Sequence, residues 1–83
     1  MNEKRELLEL FKDVALRVDK RALPHVTRES KISELGIDSL SVMQIVGELE
    51  TELDILIPDE DLVEIVTVGD LCDRVAERLR KDQ

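Results

Sequence analysis

Apolar residues recur along this chain at helical spacing in four places. The first run puts Leu7, Leu8, Phe11, Val14, Ala15 and Val18 on one stripe and predicts a helix from Glu3 to Val18, with Asn2 as N-cap. Pro24 and a polar cluster between Asp19 and His25 break the pattern. A long connection then runs from Asp19 to Ile37. Leu23, Val26, Ile32 and Leu35 are expected to pin it to the core. A short turn at Ser33-Glu34-Leu35 ends it at Gly36, which supplies a conformation other residues resist. Connections of this length are uncommon in compact domains and are often functional.

The second run predicts a helix from Ser39 to Leu53, with Asp38 as N-cap. Val42, Ile45, Val46, Leu49 and Leu53 form its core-facing set. Leu40 and Met43 lie on a flank that points elsewhere, and an apolar flank there is either extra packing or a contact surface. Gly47 in mid-helix costs about 1 kcal/mol relative to alanine, which predicts close approach of another element. Pro58, followed by Asp59, Glu60 and Asp61, suits the first turn of a short third helix ending near Glu64, with acids at the positive end of its dipole. Thr67 and Asp70 then make a capping box that starts a fourth helix. Its stripe is Val68, Leu71, Cys72, Val75 and Leu79, and Arg78, Arg80 and Lys81 suit its C-terminal end. Asp54 to Ile57 is the only strand-like run, short and without a partner. The prediction is an all-α fold: one four-helix bundle domain spanning residues 1–83, with a long first loop and a short third helix.

Eighty-three residues give a thin core, and with Phe11 as the only aromatic it must be built from Leu, Ile and Val. No apolar run reaches the roughly 18 residues of a membrane span, and the first ten residues lack the apolar stretch of a signal peptide. One cysteine excludes an internal disulfide and is compatible with a reducing cytoplasm, the expected location. The net charge of −8 disfavours nucleic acid. That charge is segregated. Between Ile32 and Asp73 there are twelve acids and no base, while the rest of the chain holds all twelve bases and the other eight acids. A partner docking on the middle of the chain is therefore expected to be basic, unless the acidic face serves solubility alone.

Catalytic chemistry finds little to work with. His25 is the only histidine, and Gly36-Ile37-Asp38-Ser39-Leu40 lacks the second glycine of a nucleophile elbow. His25 and Cys72 do not make a metal-ligand set, and the acids from Asp54 to Glu64 lack the spacing of a calcium loop. His25 reads as a solvated loop residue and Cys72 as a small core residue. Ser39 is the remaining candidate. At the first turn of a helix its hydroxyl is exposed and the helix dipole favours an anion, although Asp38 opposes one. Sequence physics leaves two readings open there: a serine beside a cap, or a serine that carries a modification.

The stretch Leu35-Gly36-Ile37-Asp38-Ser39-Leu40 resembles the attachment motif of acyl carrier proteins, whose serine bears phosphopantetheine. The resemblance continues through the amphipathic helix, Ile57-Pro58-Asp59-Glu60, a short helix and Thr67-Val68-Gly69-Asp70-Leu71, and so covers nearly the whole chain. It implies a carrier and no catalyst, with Ser39 as the attachment point, Asp38 as the flanking motif residue and phosphopantetheine as the covalent cofactor. The arm's terminal thiol, not Cys72, would hold the acyl group. The lack of a glycine-rich approach to the serine favours an acyl over a peptidyl carrier. The implied partners are a phosphopantetheinyl transferase and acyl-transferring, condensing or tailoring enzymes with basic docking patches. They would meet a monomeric carrier at Asp38, Leu40, Met43, Glu48, Glu50 and Glu60. Two positions depart from the family's acidic pattern, Ser41 and Gln44, which puts ordinary fatty-acid synthase docking in doubt and makes polyketide or other specialised acyl biosynthesis an alternative to fatty-acid synthesis. An attached acyl chain is expected to lie against Met43, Val46, Leu62, Ile65 and Leu71. The competing reading of those five is a closed core, and that of the whole chain a small acidic interaction module with an unmodified Ser39.

Overall fold

In the computed structural model, residues 3–20 and 25–81 are described, with side chains from Glu6 onward. The expected Asn2 cap and the Leu23 anchor lie outside those residues. Four α-helices follow the predicted order: α1 (Glu3–Asp19), α2 (Ser39–Leu53), α3 (Asp59–Val63) and α4 (Val68–Lys81). A short 3₁₀ turn (Ile32–Glu34) precedes α2. Pro58 is the N-cap of α3 and stands just outside its first turn. No strand forms at Asp54–Ile57. Ile55 and Ile57 are buried there while Leu56 between them is exposed, so the run seals one end of the core.

The core follows the predicted stripes. α1 contributes Leu7, Phe11, Val14 and Ala15, α2 contributes Ile45, Val46 and Leu49, and α4 contributes Val68, Leu71, Cys72, Val75 and Ala76. α1 packs closely against both α2 and α4. Arg17, in the last turn of α1, donates to Glu52, in the last turn of α2, at 3.1 Å, so these two helix ends lie together. A 15-residue helix is about 22 Å long, so the chain must travel back roughly that far to begin α2. The length of the first loop is thus a topological requirement.

That loop is stitched to the start of α4. Gly69 and Val68 donate backbone N–H groups to the carbonyls of Arg28 and Ser30 at 2.8 and 2.9 Å, and Ile32 donates to Val66 O at 3.0 Å. Arg28 also donates to Asp73 at 2.9 Å. Gly69 makes this approach possible. A Cβ there would sit 2.8 Å from the Arg28 carbonyl oxygen, closer than carbon tolerates. Gly47, expected to mark a close approach, marks none: a Cβ on it would meet nothing within 4 Å. Gly36 does adopt the left-handed conformation, φ 76°, expected at the end of the loop.

Candidate functional site

The entry to α2 is organised by Asp38. Its side chain accepts the Ser41 N–H at 2.7 Å and its carbonyl accepts the Val42 N–H at 3.0 Å. Asp38 is therefore the cap, and Ser39 is the first helical residue, exposed, with its hydroxyl not required by the cap. Helix-start geometry adds unpaired backbone N–H groups and the positive end of the dipole, both suited to a phosphodiester.

Ser39 also lines a cleft of about 490 Å³. All five residues expected along an acyl chain, Met43, Val46, Leu62, Ile65 and Leu71, line the same cleft: Met43 is exposed and Leu62 and Ile65 are half-buried, while Val46 and Leu71 belong to the buried core and form its floor. The sequence reading missed Ile32, Ser33, Ile37, Val42 and Val66 in this lining. Two of these had a local signal. Ile37 and Val42 occupy the positions before the cap and four residues into the helix, where a hydrophobic staple forms. The lining contains no charged and no aromatic side chain.

Cys72 is buried among aliphatic residues, and burial pushes its thiol up to about 11, so it stays protonated and unreactive at neutral pH. His25 is exposed in the first loop. Among the described residues no group of His, Cys, Asp or Glu is placed to hold a metal ion.

The expected docking residues divide. Leu40 is 70 % exposed and Met43 50 %, and both Glu48 and Glu60 are exposed. Glu50 is half-buried, and its carboxylate accepts the Ile57 N–H at 2.8 Å, which fixes the connection into α3. The base-free run is also not base-free in space. Arg17 reaches Glu52, Arg28 reaches Asp73, and Arg74 and Arg78 reach Asp61. A linear charge count cannot show these pairings, because each joins segments far apart in sequence.

Residues 5–75 match the PP-binding family, described as a phosphopantetheine attachment site. Over 71 residues the chain is 37 % identical to an acyl carrier protein of Exiguobacterium, covering 86 % of this chain and 90 % of the relative. The chain belongs to the acyl carrier protein family. A Clostridium perfringens acyl carrier protein is 42 % identical over 57 residues, 68 % of this chain and 75 % of its own length. The fold agrees. The crystal structure of an acyl carrier protein from Thermotoga maritima superposes with a TM-score of 0.91 at 32 % identity, covering 98 % of this chain and 95 % of that one. A holo acyl carrier protein from Geobacter metallireducens superposes with a TM-score of 0.76 at 27 % identity, over 90 % of this chain and 87 % of that one. The chain is accordingly a non-catalytic carrier of acyl groups linked through phosphopantetheine. No helix among the described residues is long and apolar enough to cross a membrane.

Proposed function

We propose that Ser39 is the attachment residue and that residues 1–83 act as one monomeric, cytoplasmic carrier domain. The observation that carries this is the division of labour at the start of α2. Asp38 satisfies the helix, and Ser39 is left exposed on the lining of an aliphatic cleft. When bound, the phosphopantetheine supplies a terminal thiol that holds the acyl group as a thioester. The chain's own residues do the rest. α2 holds the Ser39 hydroxyl outward for a phosphopantetheinyl transferase. Leu40 and Met43 offer apolar contact to partner enzymes, and Glu48 and Glu60 steer basic docking faces. Asp38 and Glu50 support this surface mainly through the helix cap and the connection to α3.

The cleft is suited to shelter an aliphatic cargo along Met43, Val46, Leu62, Ile65 and Leu71. Each methylene removed from water is worth about 0.8 kcal/mol, so an octanoyl group should stabilise the fold more than an acetyl group. The neutral Ser41 and Gln44 at the start of α2 favour partners from a specialised acyl or polyketide pathway over ordinary fatty-acid synthesis. The deciding experiment is intact mass after incubation with coenzyme A, magnesium and a phosphopantetheinyl transferase. One phosphopantetheine is expected on the wild type, mapping to Ser39, and none on Ser39→Ala. Modification that persists in Ser39→Ala, or no modification of the wild type, overturns the assignment of Ser39.

A further inference from the structure

α3 has little of its own to hold it in place. It is five residues long, Pro58 gives it no side-chain cap, and none of its residues is buried. Its flanks, by contrast, are fixed. Ile57 before it is buried and bonded to Glu50, and Val66 after it accepts the Ile32 N–H at 3.0 Å. Between these anchors Leu62 of α3 and Ile65 just beyond it are only half-buried, yet they form one wall of the cleft.

Charge from α4 holds that wall. Arg78 donates to Asp61 Oδ2 at 3.3 Å, Arg74 Nη1 lies 3.9 Å from Asp61 Oδ1, and Arg74 Nη2 donates to Glu64. The Asp61 side chain is 20 % exposed and the two arginines about a third, so salt reaches the Asp61 pairs but screens them less than fully exposed ones, while Glu64, 66 % exposed, is screened more. Arg74 also borders a polar recess with Asp70, Asp73 and Glu77. It therefore keeps acidic surroundings when α3 moves away, which lowers the cost of release.

We propose that Arg74 and Arg78 are positioning residues of the cleft: an ionic latch from α4 that fixes α3 as its movable wall. Competing charge in the form of salt ions loosens the latch. The consequence for cargo rests on the cleft's assignment above. The latch itself does not, and it is tested on the unmodified full-length chain.

The test is amide hydrogen exchange at Asp61, Glu64 and Ile65, whose N–H groups are bonded within this segment. The double variant Arg74→Gln/Arg78→Gln should exchange about threefold to tenfold faster at these three amides, with Val14 and Val75 unchanged. Raising salt to about 0.5 M should accelerate the same amides in the wild type and leave the variant unaffected. Arg74→Lys/Arg78→Lys should recover most of the protection, since charge and not guanidinium shape is what the latch requires. Unchanged exchange at the three amides in the glutamine variant overturns the proposal. So does equal acceleration at Val14 and Val75, which would mean that the arginines only stabilise the whole fold.

Discussion

α2 and α4 are nearly the same length, 15 and 14 residues, but they use their apolar residues in opposite ways. α4 buries Val68, Leu71, Cys72, Val75 and Ala76, and its polar residues face solvent or make ion pairs. Its start is held twice over, by the Thr67–Asp70 capping box and by the backbone bonds that Gly69 and Val68 donate to Arg28 and Ser30. α2 buries only Ile45, Val46 and Leu49. It leaves Leu40 and Met43 exposed in its first turns and has a single side-chain cap, Asp38. The difference separates stability from presentation. A helix that must offer an attachment point and a contact surface cannot bury that face, so a neighbouring helix has to anchor the fold.

The largest test of this comparison is a pair of leucine truncations. Leu71, fully buried on α4, should cost about 2–5 kcal/mol of unfolding free energy when changed to alanine. Leu40→Ala on α2 should change stability by no more than about 0.5 kcal/mol, while slowing phosphopantetheinyl transfer. Denaturant unfolding of both variants measures this, and equal losses would mean that α2 is as much a core helix as α4.

A smaller effect, of opposite sign in the two helices, is expected at their glycines. Gly69→Ala pushes a methyl group into the Arg28 backbone and should destabilise by about 1–3 kcal/mol. Gly47→Ala puts a methyl group into open space on a helix and should stabilise by about 0.5–1 kcal/mol. A loss of stability at Gly47 would contradict the open face of α2.

Electrostatic steering is a further distinction, because the Glu48 side chain on α2 is exposed and makes no hydrogen bond or ion pair among the described residues. Glu48→Lys should leave stability within about 0.5 kcal/mol of the wild type. At low salt and subsaturating carrier it should slow phosphopantetheinyl transfer, and the difference should shrink as salt rises through the screening range. If turnover at low salt is unaffected, Glu48 does not take part in docking.

What the sequence made legible was local. Asp38, the Thr67–Asp70 box and the left-handed Gly36 each depend on residues within a turn or two, and all stand where the pattern put them. The apolar stripes found the core, and the motif around Ser39 found the family. Most of what it did not show involves long-range partners. Gly69 and Gly47 have the same cost in a helix. Only the passage of Arg28 across α4, 41 positions earlier in the chain, explains the first, and no close approach among the described residues explains the second. Arg78 was legible as a cation at a helix end, but its partner Asp61 was not. Half of the cleft lining was missed in part because Ile32 and Ser33 sit in an aperiodic loop, whose fold is set by its bonds to α4.

The smallest expected effect is a pH dependence at the start of α4. The Asp70 carboxylate accepts the Thr67 and Val66 N–H groups at 3.0 Å each, and these bonds hold it below its ordinary range. Because its folded value is depressed, the stability it contributes is fully present above the ordinary carboxylate value near about 4. That stability is lost as pH falls through the still lower folded value. Asp70→Asn removes the titration while keeping an amide oxygen that can accept. The stability difference between wild type and variant should therefore be flat from pH 7 to about pH 5 and narrow below about pH 4. Subtracting one variant from the other removes the remaining carboxylates, including Glu77, which its bond to Lys81 also depresses. Unfolding measured at several pH values between 2.5 and 7 decides the matter. A difference that stays constant through that range would show that Asp70 acts in the cap through its shape and not through its charge.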